Sequence, residues 1–460
     1  MLITRITKHI ICLGFLLLVA CQPAPGPVTP TFTGITDADP TLPPSDLEPD
    51  PTIQALVPTI TPTKPVLPTD SIIQNQCPEI SGQFAAGGTS GVLVVQERVG
   101  QSMLFNLQTG EKKFLRGGGP NVSPDGMQLV YWGLDDNTLE SFLVIRAIGD
   151  STQTELRLFD GIFRMIGWHD NQRLLFRMTR DPATDPAPHL LVLFNPFTGE
   201  KKTYNRDFPD IDNEVEWDLL GPAAYDQTMS YILYAGLKDA ESRTHEYVLW
   251  DDVSKTKIAA FAGSSHVNEM FNYDSKIIQL DGVSHNPPRW SPDDSRVAII
   301  APVPQEKMNV DEIYAITKTG EVQRLTYFAN HFEKAKISDL SWSPEGTSIA
   351  FWVTLEPSLY TLPQDTYQNV RLGIVNTETL EITYYCIMGD SIGPMNGRPS
   401  AEFIGKSIPA PIWSPDGTQV VLESRYASDK SRLILLNLQD GTSVEIGQNM
   451  EPIGWLIEEP

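Results

Sequence analysis

Four stretches of the chain repeat one phrase: Trp290-Ser-Pro-Asp-Asp294, Trp342-Ser-Pro-Glu-Gly346, Trp413-Ser-Pro-Asp-Gly417 and a worn copy, Val122-Ser-Pro-Asp-Gly126. Each residue of the phrase has a backbone task. Ser opens a turn, Pro presets φ at the second position, Asp tolerates the third, and Gly takes the left-handed conformation that closes a hairpin. Asp294 stands where Gly is expected, and Asp enters that region at modest cost. The phrase therefore reads as a tight turn between two strands, with Pro124, Asp125, Gly126, Pro292, Asp293, Pro344, Gly346, Pro415, Asp416 and Gly417 as turn-builders. Trp290, Trp342 and Trp413 fall on the strand before the turn, where a large ring fills the gap between neighbouring sheets.

A short apolar run follows every copy: Gln128 to Trp132, Arg296 to Ala301, Ser348 to Val353 and Gln419 to Glu423. Third strands such as Leu433-Ile-Leu-Leu-Asn437 and Ile313-Tyr-Ala-Ile316 come next, then turns at Gln439-Asp-Gly441, Thr319-Gly320 and Thr109-Gly110 that lead to a short outer strand. One supersecondary unit recurring at this spacing predicts an all-β fold, a β-propeller of four-stranded blades. Two degenerate units fit the template, opening at Ile166-Gly-Trp-His-Asp170 and Ala223-Ala-Tyr-Asp226. The strands near Val92 to Glu97, Met103 to Leu107 and Lys112 to Leu115 have no inner strand before them, whereas the chain ends on Ile453-Gly-Trp-Leu-Ile457. If that end inserts beside the first three strands, seven blades result and the exposed edges are protected; six or eight are also compatible with the spacing.

The N-terminus gives an address. Arg5 and Lys8 precede an apolar run from Ile10 to Ala20, the order of an export signal and too short for the roughly 20 residues of a spanning helix. From Gln22 to Gln76 the chain holds 13 Pro and 10 Thr, which cannot bury a core and favours an extended, semi-rigid stalk. The predicted organisation is a signal peptide over 1–20, a disordered stalk over 21–76 and a propeller over 77–460. Cys77 and Cys386 remain for an oxidising compartment; a bond between them would clamp the junction of stalk and propeller, and two unrelated thiols are the plainer alternative.

With 58 acidic against 34 basic residues the net charge is −24, a surface that repels nucleic acid and anionic lipid and otherwise serves solubility. Alternating Asp210, Asp212, Glu214 and Glu216 present oxygens suited to Ca²⁺, but without the glycine and spacing of an EF-hand loop they read first as a solvated edge. Gly389-Asp-Ser391-Ile-Gly393 matches a hydrolase nucleophile elbow, yet Pro394, Gly397 and Pro399 forbid the helix that must follow. Gly405-Lys-Ser407 echoes a phosphate loop, and Pro409 and Pro411 block its helix. The histidines after His9 stand at unrelated spacings, so no metal site or catalytic residue is predicted.

Two resemblances extend this reading. Leu18-Val19-Ala20-Cys21 resembles the lipobox of bacterial lipoproteins, which implies lipidation of Cys21 with a diacylglyceryl thioether and an acylated amine, and an anchor in a bacterial membrane facing outside the cytoplasm. From about Ser90 onward, the four Ser-Pro-Asp/Glu motifs resemble the WD-like, TolB-type β-propeller repeats of bacterial envelope proteins. The resemblance implies a non-catalytic scaffold for a protein or extracellular ligand. The rival is a propeller enzyme, a glycan lyase, glycosidase or peptidase-like protein, with a site built from loops on one face. Every long connection is expected on the face opposite the Ser-Pro-Asp turns, and loops on rigid scaffolds carry function. Tyr273, His285, His331, Tyr360 and Arg398, with Asp210, Asp212 and Glu214, are the contact residues predicted there.

Overall fold

A computed structural model describes residues 70–82, 84, 89–97, 101–134, 141–148, 153–156, 162–179, 190–205, 221–239, 244–262, 288–303, 307–356, 370–388, 411–427 and 430–458. The chain divides after Pro65, and all described residues belong to the second unit, Val66–Pro460.

That unit is an array of short sheets. Two strands come first, β1 (Ile72–Gln76) and β2 (Ile80–Ser81), followed by β3 (Val92–Glu97), β4 (Ser102–Asn106) and β5 (Lys112–Phe114). Then come β6 (Gly117–Val122), β7 (Gln128–Leu134), β8 (Ser141–Ala147) and β9 (Gln153–Leu156), and β10 (Ile162–Trp168), β11 (Leu174–Thr179), β12 (Leu190–Phe194) and β13 (Lys201–Asn205). The pattern continues with β14 (Gly221–Tyr225), β15 (Tyr231–Asp239), β16 (Thr244–Asp251) and β17 (Thr256–Ala262), and with β18 (Arg289–Trp290), β19 (Arg296–Val303), β20 (Lys307–Thr317) and β21 (Val322–Arg324). After a 3₁₀ turn at Phe328–Asn330 follow β22 (Lys334–Trp342), β23 (Ser348–Glu356), β24 (Val370–Asn376) and β25 (Glu381–Met388). Last come β26 (Ile412–Trp413), β27 (Gln419–Ala427), β28 (Lys430–Asn437), β29 (Ser443–Gln448) and β30 (Met450–Leu456).

Consecutive strands pair antiparallel within each group of four, and β30 pairs antiparallel with β3 to give the order β30-β3-β4-β5. One parallel bridge, Val310 to Ala335, links the strands of the groups β18–β21 and β22–β25. Each sheet has apolar runs on both faces because each is packed between two others. In β7, Leu129 and Tyr131 join a cluster with Val92, Val94 and Leu104, whereas Val130 joins one with Phe176 and Val192. In β23, Ile349, Phe351 and Val353 face one cluster, and Ala350 and Trp352 the next. First strands of successive sheets are tied together: the indole Nε1 of Trp168, Trp342 and Trp413 donates to the carbonyls of Asn121, Arg289 and Ser341 at 3.3, 2.9 and 3.1 Å. Sheets that approach along their first strands and stack face to face form an all-β propeller.

Residues 72–76, assigned to the stalk by composition, already belong to the sheets. β1 lies parallel to β25 as a fifth strand, and β2 lies parallel to β29. The strap is pinned where it arrives: Asp70 accepts from Asn330 and His331 at 3.0 and 2.9 Å, and the Ser71 hydroxyl accepts the Tyr327 amide at 3.1 Å. β1 covers an edge that would otherwise be open to pairing. In the register Gln76 stands opposite Tyr385, so the next residues, Cys77 and Cys386, meet and are disulfide-bonded across 309 positions of chain. Reduction is expected to cost about 2–5 kcal/mol, since the bond closes a long loop in the unfolded chain. Thermal unfolding with and without reductant measures this; equal midpoints would mean that hydrogen bonds alone hold the strap.

Candidate functional site

The repeated phrase builds one end of the sheets. At Ser123 the amide donates to the Gln128 carbonyl and the Gly126 amide returns to the Ser123 carbonyl, each at 2.9 Å. The hydroxyl donates to Asp125 Oδ1 at 2.5 Å and accepts the Gln128 amide at 2.9 Å. Ser291, Ser343 and Ser414 organise the same turn, and all four serines are buried. The closing residue is left-handed each time, with φ of 69°, 60°, 74° and 70° at Gly126, Asp294, Gly346 and Gly417. In the degenerate copy Asp226 takes the serine's place. Its Oδ1 accepts the Ser230 and Tyr231 amides at 2.7 and 2.8 Å, and Met229 occupies the left-handed position at 60°.

These turns are bonded to one another around the array. Asp125 and Gln128 reach Asn171; His169 and Arg173 reach the Gln227 carbonyl; Gln227 reaches Pro292 and Asp294; Arg296 reaches the Gly346 carbonyl. The Ile457 amide, just past β30, donates to the Gly126 carbonyl at 3.1 Å. A second repeat caps the same end: Oδ1 of Asn106, Asn195, Asp251 and Asn376 each accepts the amides two and three residues on. This is an Asx turn, in which the side chain mimics a backbone carbonyl. Asn437, at the end of its third strand, marks the motif in sequence.

The opposite ends of the strands bound the long connections, 180–189, 206–220, 263–288, 357–369 and 389–411. Asp210, Asp212, Glu214, Tyr273, His285, Tyr360 and Arg398 lie outside the described residues, as does Ser391. His331 lies in the connection between β21 and β22, where its ring holds Asp70 of the strap. Among the described residues no three His, Cys, Asp or Glu side chains gather as a metal-binding group.

Two residues that sequence reading passed over stand on the first strands of adjacent sheets, Arg289 on β18 and Asp339 on β22. Arg289 is exposed by surface area, yet desolvation lowers its guanidinium from the ordinary arginine value. Asp339 stands at an irregularity of β22, between Ser338 and Ser341, with φ of 57°. Burial pushes its carboxyl up to about 7, against the Ser338 hydrogen bond and the field of Arg289. The signal for this position is present in the repeat: four residues before Ser123 stands Gly119, at φ of 60°, where the β22 unit has Asp339.

A native carboxyl that titrates near 7, against 3.8 ordinarily, binds its proton more tightly than the unfolded chain does. Its stabilising contribution is complete below about pH 4 and declines as pH rises to about 7. Asp339→Asn keeps a short side chain suited to positive φ and removes the titration. The variant is expected to gain about 1–3 kcal/mol on the parent between pH 5 and pH 8, after allowance for partial solvent screening. Urea unfolding at both values checks it; parallel pH profiles would refute the assignment.

No family model matches the chain, and no curated protein matches it. Solved structures similar to it include TolB from Acinetobacter baumannii, at 13% identity over 78% of this chain and 81% of that one, with a TM-score of 0.37. An oligogalacturonate lyase from Vibrio parahaemolyticus is similar at 13% identity over 78% and 86%, TM-score 0.42. Pyrococcus horikoshii acylaminoacyl peptidase is similar at 11% identity over 78% of this chain and 52% of that one, TM-score 0.43. The fold rests on the strand order and inter-sheet bonding above.

Proposed function

We propose that the chain is an exported lipoprotein, anchored through Cys21 in a bacterial membrane, whose TolB-like propeller of seven blades is a non-catalytic platform for a protein or other extracellular ligand. The observation that carries this reading is the asymmetry of the two ends. One end is a series of tight turns, hydrogen-bonded from sheet to sheet between Gly126 and Gly346. The strand ends that bound every long connection lie at the other, and a rigid frame bearing variable connections on one side is how scaffolds present binding surfaces. On this reading β30 closes the ring against β3, and the strap of residues 70–82 fixes where the stalk joins it.

Affinity capture from the envelope of the source cell, with residues 21–460 as bait, is expected to recover a partner that a bait lacking 389–410 does not. Turnover of a glycan or peptide library without any captured partner would overturn the scaffold reading in favour of an enzyme. Metabolic labelling with a fatty acid is expected to mark the parent and not Cys21→Ser; equal labelling of the two would remove the anchor.

A further inference from the structure

The outer edges of the sheets are not alike. β5 closes its sheet with Lys112, Lys113 and Phe114, all exposed, and β13 begins with Lys201 and Lys202, the kind of charged edge that discourages pairing with another chain. β25 carries Ile382, Tyr384, Tyr385 and Ile387 instead, all buried, and its β-branched and aromatic residues suit a strand. This is the edge that the strap covers. The strap itself is thinly held: Ile72, Gln74 and Asn75 of β1 are exposed, and Ile73 supplies its contact with the apolar core. Its pins are polar and reach solvent, with side-chain exposures of 56% at Asp70 and 37% at His331, and with Gln74 bonded to Glu381 at the surface. Between β1 and β2 the strap crosses from the sheet of β25 to that of β29, and the crossing holds Cys77, exposed and bonded to half-buried Cys386.

We propose that the Cys77–Cys386 bond is a redox latch, opened by a dithiol, and that opening it lifts β1 from β25 and uncovers that edge. One thiolate of the dithiol attacks the sulfur of exposed Cys77, the Cys386 thiolate leaves and takes up a proton, and the second thiol of the reductant displaces Cys77 from the mixed disulfide. The protein gains two electrons and two protons as a pair of cysteine thiols, and the dithiol becomes a disulfide. Once the bond is cut, one packed side chain and a ladder of bonds that water replaces must offset the ordering of five edge residues, and the strap opens. The sheet beneath does not follow it. β25 stays paired with β24, and its buried side chains belong to clusters shared with the neighbouring sheets. The latch rests neither on the lipid anchor nor on a binding partner, because strap and edge belong to the same folded unit.

The test uses the full chain purified in detergent, with dithiothreitol as the dithiol. Alkylation in native buffer is expected to label neither Cys77 nor Cys386 before reduction and both after it. Hydrogen exchange read by mass spectrometry is expected to quicken about tenfold or more over residues 70–77 and 381–388 on reduction, to change far less over β15 and β16, and to return to its first rate on reoxidation. Cys77→Ser is expected to show the fast exchange without reductant and no further change with it. The reduced parent carries the measurement if that variant does not fold. Cysteines alkylated before reduction, a bond that dithiothreitol reaches only after unfolding, or unaltered exchange over 381–388 in the reduced, folded chain would overturn the latch. Equal acceleration over β15 and β16 would overturn it too, by making the bond a brace of the whole array.

Discussion

A chain ending at Asn449, and so lacking β30, is expected to lose most of its stability and to unfold tens of degrees below the parent or not to fold at all. The last strand is the first member of its sheet, paired with β3 from Val92–Leu456 to Glu97–Met450. Met450 and Trp455 belong to the cluster shared with Val421, Leu433 and Leu435, whereas Leu456 belongs to that shared with Leu129 and Val144. The strand therefore packs against the sheets on both sides of its own. Met450, Trp455 and Leu456 are all less than a tenth exposed. At about 1.5–3 kcal/mol for each large apolar side chain, with half-buried Ile453 besides, the loss is about 5–10 kcal/mol, comparable to the whole stability of a typical domain. The deletion also uncovers β3, a run of four buried apolar residues, as an edge open to intermolecular pairing. Scanning calorimetry of the parent and the truncated chain measures the effect, and a synthetic peptide of residues 449–460 is expected to restore part of the lost transition. A truncated chain that melts with the parent would show that the ends do not hold the array together.

The architecture was legible because its turns are local and chemically constrained. Ser-Pro-Asp-Gly has few alternatives once Pro fixes one φ and Gly another, so four copies could be aligned by eye and the poorer copies at Asp170 and Asp226 found from the spacing. Asp226 shows why a degenerate copy still folds: a carboxylate does what the serine hydroxyl does elsewhere, accepting the amide five residues on. The strap was not legible. Ile72 to Gln76 follows a Pro/Thr-rich run without a break in composition, and what makes it a strand is a partner at 381–385 that leaves no local trace. The placement of Arg289 and Asp339 on adjacent first strands was hidden for a related reason. Arg289 and Asp339 are separated by 50 positions, and their strands are brought side by side by bonds such as that from the Trp342 indole to the Arg289 carbonyl and by the core the two sheets share. Contact residues picked from long connections rested on loop length, a signal that marks a surface without arranging the side chains upon it.

Asp226→Ala is expected to destabilise the protein by about 2–4 kcal/mol, because the Ser230 and Tyr231 amides and the Thr228 hydroxyl lose their acceptor, while Lys318 keeps Asp294. The Asp226 carboxylate is fully buried and sits at the junction of two sheets. Oδ1 takes two backbone amides of its own turn, while Oδ2 takes the Thr228 hydroxyl at 2.5 Å and Lys318 Nζ at 2.9 Å. Lys318 also reaches Asp294 at 2.7 Å and lies 5.0 Å from the centre of the Tyr231 ring and 5.5 Å from that of Trp290. Desolvation acts to raise the Asp226 carboxyl, and the hydrogen bonds from Thr228, Tyr231 and Lys318 overcome it to hold the group below its ordinary value. Its contribution is therefore present in full above about pH 4 and is lost as pH falls through the depressed native value. The parent should be destabilised by acid in that range, and Asp226→Ala should show less of this dependence. Lys318→Met is expected to cost less than Asp226→Ala, because the carboxylate keeps its two amides and the Thr228 hydroxyl. If the two variants proved equally damaging across pH, the cation rather than the turn would be what fastens this junction.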